Sequence, residues 1–121
     1  MFIGEVSRKT GLSIKAIRFY EKIGLTRTPA RQGRYRVYSS MDVEVLKLIA
    51  EAKSLGVSLA KLQGVITYQN GNVDWNRIAE FLARTKSDLQ AELGLLHEKI
   101  EKIDECIKSI RSCPQTVDYT L

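Results

Sequence analysis

A mainly helical chain, with one short basic hairpin near its start and one long helix at its end, is the fold class that the 121-residue sequence predicts. Three observations predict it. Apolar residues recur at intervals of three and four through most of the chain, the signature of helices with one buried face. Residues 26–38 break that period with Pro29, Gly33 and the alternation Arg34-Tyr35-Arg36-Val37-Tyr38, which reads as a strand. From Leu89 onward the apolar positions settle into a four-three spacing through Leu93, Leu96, Ile100, Ile103, Ile107 and Ile110, with Leu82 ahead of them and no helix breaker before Pro114. The expected organisation is a compact domain over residues 1–71, a long helix over 72–113 and a tail over 114–121.

Charge separates the first part from the rest. Residues 1–40 hold nine Lys and Arg against Glu5 and Glu21, a net +7; the remainder has 19−9=10 basic and 14−2=12 acidic residues, a net −2. A positive patch this concentrated points to a polyanion, because neutralising phosphates releases condensed counterions. An anionic membrane surface is the weaker reading, since the apolar faces beside these lysines are needed for a core. Phe2 and Ile3 are followed at once by Gly4 and Glu5 instead of an apolar signal segment, and the two cysteines are too few for a secreted disulfide scaffold. The chain reads as cytoplasmic, with no membrane partner.

Each element has its own local signal. Residues 2–9 form a short helix on Ile3 and Val6, broken by Gly11. Residues 10–25, T-G-L-S-I-K-A-I-R-F-Y-E-K-I-G-L, read as a turn and a second helix: Ser13 caps the start, Leu12 packs on Ile17, and Gly24 closes the end. Ile14 and Ile17 are expected to face a core, with Lys15, Arg18 and Lys22 on the opposite side. On one helix such a basic face is equally a solvated surface. The hairpin that follows adds arginines interleaved with tyrosines, which supply charge and hydroxyls to a phosphate backbone. Tyr38 can equally cover the core.

Ser39 and Asp42 have capping-box spacing and open a third helix that runs to Leu55 and ends at Gly56. Ser58 opens a fourth, with Leu62, Val65 and Ile66 inward. Asn70-Gly71-Asn72 reads as a loop, and Asp74 caps the long helix. At 1.5 Å per residue that helix is roughly 55–60 Å long, so its apolar seam outruns what a domain of this size can cover. A partner copy is the expected cover.

Ile3-Gly4-Glu5-Val6, Ala16-Ile17-Arg18-Phe19-Tyr20-Glu21, Gly24-Leu25, Tyr35-Arg36 and Tyr38, in this order, resemble the winged helix-turn-helix signature of the mercury-resistance regulator (MerR) family. The match is close over roughly the first seventy residues. Gly33 is followed here by Arg34 before Tyr35-Arg36, where family wings commonly read Asn-Gly-Tyr-Arg. The resemblance implies a winged helix-turn-helix domain, a linking helix pair and a dimerisation helix that pairs antiparallel. It implies a homodimer that binds double-stranded DNA at a palindromic operator, distorts the promoter and realigns it for RNA polymerase. Ser13, Lys15, Ala16, Arg18 and Tyr20 of the reading helix, with Arg34, Tyr35, Arg36 and Tyr38 of the wing, form the expected DNA-contacting set. An effector-independent architectural or recombination-accessory protein, and an interaction module using only the coiled coil, are the competing readings.

Nothing in the sequence suggests an enzyme. His97, the only histidine, flanks the seam with no nucleophile pattern near it, and there is no Gly-rich phosphate loop or zinc motif. Cys113 before Pro114 matches one thiolate position of metal-sensing relatives, but no second Cys or His follows it, and Cys106 lies upstream. A soft ion needs a closed pair of ligands, so the expectation is no metal and no cofactor. Trp75, Ile78 and Phe81, with Cys113, are the residues expected nearest an organic or redox effector.

Overall fold

The computed structural model describes residues 1–112, in two compact units that divide between Phe81 and Leu82. In the first unit, α1 (Ile3–Thr10) and α2 (Ile14–Lys22) are followed by the hairpin of β1 (Ala30–Gln32) and β2 (Tyr35–Val37). Helices α3 (Ser40–Ser54) and α4 (Leu59–Val65) come next, then a second hairpin of β3 (Tyr68–Gln69) and β4 (Asn72–Val73). The first turns of α5 (Trp75–Ser112) complete this unit. Helix α1 packs on α2 and α3, around a core that includes Val6, Ile17, Tyr20, Leu46, Ile49 and Leu62.

Local chemistry sets the helix boundaries. The Ser13 hydroxyl accepts from the Ala16 N–H at 3.0 Å, so α2 starts where the cap residue stands. At its other end Gly24 has φ +79°, its N–H donates to the Glu21 carbonyl, and the Leu25 N–H donates to the Tyr20 carbonyl at 2.9 Å. Those two bonds, with Leu25 buried beside Tyr20, satisfy carbonyls that a helix end otherwise leaves to water. The turn between α1 and α2 is held by side chains: Ser7 Oγ donates to the Leu12 carbonyl at 2.6 Å and Thr10 Oγ1 donates to that of Val6. This fixes the entry of α2.

Three expectations change in detail. Ile17 is buried but Ile14 is 39% exposed, because the inward face of α2 runs through Ile17 and Tyr20 instead. Arg34 lies in the two-residue connection of the first hairpin, where Gln32 pairs with Tyr35, and the strands stop short of Tyr38. Tyr38 is held by the chain start: its N–H donates to the Met1 carbonyl at 2.8 Å. The expected loop at Asn70-Gly71-Asn72 is the tip of a hairpin. Asn70 and Gly71 both have positive φ, the requirement of the tight turn that matches strand twist.

Arg27 joins these pieces. Its Nε donates to Asp42 Oδ1 at 2.8 Å, Nη2 to Ser39 Oγ at 3.1 Å, and Nη1 to the Gly71 carbonyl at 3.1 Å. Asp42 closes the expected capping box, accepting from the Ser39 N–H at 2.8 Å while its own N–H donates to Ser39 Oγ. At 7% exposure it is the one buried charged residue among those described. Its carboxylate raises the Arg27 pKa above the usual arginine value, chiefly through the hydrogen bond.

In the second unit, residues 82–112 continue as helix, and none of them is buried. Leu82, Leu89, Leu93, Leu96, Ile100, Ile103, Ile107 and Ile110 are 37–71% exposed. No helix among the described residues is long and apolar enough to cross a membrane.

Removing one partner of a buried ion pair leaves the other charge uncompensated. Arg27→Ala is therefore expected to lower the unfolding free energy by about 3 kcal/mol in urea titrations. Adding Asp42→Asn should recover part of that loss, because an amide strands no charge. A cost below about 1 kcal/mol for Arg27→Ala would remove this pair as an organising contact.

Candidate nucleic-acid interface

The face expected to meet DNA is formed by α2 and the first hairpin. Lys15, Arg18 and Lys22 are exposed on α2, as the three-four spacing requires, and Arg31 and Arg34 are exposed on the hairpin. A groove of about 70 Å³ lies where the two elements meet, lined by Phe2, Ile3, Arg18, Arg34, Tyr35 and Arg36. Three guanidinium-bearing side chains from two elements thus converge on one opening. Guanidinium forks match phosphate oxygens, and their convergence is the arrangement an anionic backbone fits. Phe2, absent from the sequence-predicted set, lays its ring against Tyr35 with centroids 5.7 Å apart.

Not every cation of the N-terminal patch is free to meet phosphate. Arg27 is committed to Asp42, and Arg36 Nε lies 2.8 Å from Glu21 Oε2. The Arg36–Glu21 contact lacks the alignment of a directed hydrogen bond, and both atoms are buried, so it is a charge contact held by packing. Among the described residues, Lys15, Arg18, Lys22, Arg31 and Arg34 enter no ion pair.

Kinship agrees with this geometry. A family profile described as MerR HTH family regulatory protein matches residues 1–69. An uncharacterised HTH-type transcriptional regulator of Synechocystis sp. is 35% identical over 95% of this chain and 83% of its own length. The chain belongs to the MerR family. Heavy metal-dependent transcription regulator 2 of Rhizobium meliloti is 30% identical, covering 92% of this chain and 72% of its own. The N-terminal part of MtaN, the multidrug transporter activator of Bacillus subtilis, superposes with a TM-score of 0.55 at 26% identity, covering 92% of this chain and 94% of the other. The protein is a DNA-binding transcription regulator and not an enzyme.

Within this MerR-family fold, the sequence-predicted contact residues fall into different places. Ser13 is exposed, its oxygen accepting the cap bond while its proton stays free to donate outward, and Ala16 is partly covered behind it. Tyr35 is exposed beside the groove. Tyr20 is a correction: at 1% exposure it belongs to the core, with its hydroxyl accepting from Lys53 Nζ at 3.3 Å. Its neighbour Phe19 takes the outer position, because packing turns only one of the two rings inward. Tyr38 is also buried, with no partner for its hydroxyl among the described residues. Burial pushes its pKa up, the negative charge of Glu21 adds to that, and Arg36 and Arg18 oppose it.

The expected effector residues do not share one surface. Trp75 is exposed at an open recess of about 300 Å³ formed with Gln69, Asn72, Val73, Asp74 and Asn76. Ile78 is in the core and Phe81 is packed against it, so neither reaches that recess. Cys113 lies outside the described residues. Cys106 is an exposed free thiol, and among the described residues no three His, Cys, Asp or Glu side chains gather as metal ligands.

Because Tyr20 serves the core, Tyr20→Phe should leave operator affinity unchanged and cost about 1 kcal/mol of stability through the lost bond to Lys53. Matched anisotropy titrations and urea melts check both halves. A tenfold loss of operator affinity in a stably folded variant would return Tyr20 to the DNA-contacting set.

Proposed function

We propose that the protein acts as a homodimer on a palindromic promoter operator, bending the DNA to control transcription by RNA polymerase. The observation that carries this reading is the convergence of Arg18 from α2 with Arg34 and Arg36 from the wing on one groove. Helix-turn-helix readers put the start of the second helix at base edges in the major groove, and flanking cations then fix its register on the phosphates. Lys15 and Arg18 suit the first task, and Arg34 with Tyr35 suits the second.

The dimer is supported by the seam over residues 82–112. Apolar side chains repeating every seven residues, exposed along several turns, call for a second helix with the same repeat. A two-fold axis through such a pair presents two identical heads, which is why a palindrome is the matching target. Heads joined through a stiff helix pair impose their own separation on the duplex. DNA that does not match that separation must bend or untwist, at a cost set by its sequence. RNA polymerase would read the altered spacing between promoter elements.

Two outcomes test this reading. Arg18→Ala should lose operator affinity and part of its base preference at one position in each half-site, by roughly 1–3 kcal/mol, in competition assays against single-base operator variants. Unchanged binding would show that α2 is not the reader. Ile100→Lys places two ammonium groups in the apolar contact and should yield a monomer that binds the operator poorly. A dimer persisting at micromolar concentration in analytical ultracentrifugation would exclude this seam as the subunit contact.

A further inference from the structure

Glu21 is the only acidic residue of α2, on the element that faces an anionic partner. A carboxylate there opposes phosphate binding unless its charge is used internally. Its side chain is 12% exposed and meets the wing: Oε2 lies 2.8 Å from Arg36 Nε, whose side chain is 29% exposed. On the hairpin, Arg36 stands directly across from Arg31. Two like charges facing each other repel, so an unpaired Arg36 would swing away from the sheet. Toward solvent, that path leads into the groove it shares with Arg18 and Arg34.

We propose that Glu21 is a positioning residue for DNA recognition: it clamps the wing to the reading helix through Arg36 and withholds one cationic charge from indiscriminate phosphate contact. The proposal rests on the reading of α2 and the wing as the DNA surface. The Tyr38 hydroxyl is buried in the same charge cluster, where little water screens the pair. Holding Nε also restrains the guanidinium beside the groove that Arg36 lines, so a phosphate is met only when the backbone lies at the angle that α2 docking sets. Non-specific duplex gains less from Arg36 than an operator does. Discrimination therefore depends on an acid that never touches DNA.

The test uses the full chain, an operator obtained by selection from random duplex, and a scrambled duplex of equal length, each titrated over a salt series. Glu21→Gln is isosteric and removes the charge. It should bind scrambled duplex more tightly, steepen the salt dependence by about one unit, and lower the operator-to-scrambled affinity ratio roughly fivefold or more. Glu21→Gln with Arg36→Gln should return the salt slope to that of the parent, an outcome that a general loosening of the fold does not produce. If Glu21→Gln does not fold, Arg36→Lys keeps the charge but lacks the fork, and should lower the ratio with a slope no shallower than the parent's. A parental ratio or a parental slope in Glu21→Gln, or a parental ratio in Arg36→Lys, overturns the proposal. Arg18→Ala titrated alongside separates the two failures: parental binding there rejects α2 as the reader, whatever Glu21 does.

Discussion

A single guanidinium closes the first unit. Arg27 follows α2, Asp42 sits in the first turn of α3, and Gly71 lies at the tip of the second hairpin; the Arg27 side chain bonds to both and to Ser39 as well. The buried Asp42 carboxylate depends on the Arg27 guanidinium and on the Ser39 N–H and hydroxyl as its donors, since an unpaired buried charge costs several kcal/mol. That requirement makes the geometry specific. The exit of α2, the start of α3 and the hairpin that leads into α5 can adopt only relative positions that bring Arg27 to Asp42. Further ties follow the same route: Gln63 Nε2 donates to the Ile23 carbonyl at the end of α2, and Arg77 donates to the Gly64 carbonyl from the first turn of α5.

The same principle shapes the proposed DNA face. The N-terminal third is strongly basic, yet its cations are not equivalent. Arg27 is committed to holding the fold, Arg36 is held by an acid on α2, Lys9 meets Glu5, and Arg18 and Arg34 stand at one groove without an ion pair among the described residues. Charge counted along the chain therefore overstates what reaches phosphate. The internal pairing leaves fewer free cations in defined positions, and position carries the information in protein–DNA contacts.

The two units bury apolar surface by different means. The first encloses its own core, from Val6 through Ile78, and needs no other chain to do so. Residues 82–112 form helix, and none of the described residues there covers the leucine and isoleucine seam. A helix of this kind is a poor folding unit in isolation, because its stability comes from packing an apolar face. The proposed pairing of two such helices supplies that packing and couples the two reading heads.

Much of this was legible in the sequence because it is local. Ser13, Ser39 with Asp42, Ser58 and Asp74 cap helices through bonds to residues three positions on, and each was readable from spacing alone. The seam was readable because its period is a property of one helix. The second hairpin is not legible although Asn70-Gly71 carries its turn signal, since strands of two residues give no alternation to read. Only the tertiary structure decided which of Phe19 and Tyr20 turns inward, why Ile14 stays exposed, and which arginines are free. The partners of Arg27 and Arg36 lie 12 to 44 and 15 positions away, and packing of α2, α3 and the two hairpins brings them together. Local bonding wrote the elements and their boundaries; the meeting of distant charges chose which side chains remain unpaired on the proposed DNA face.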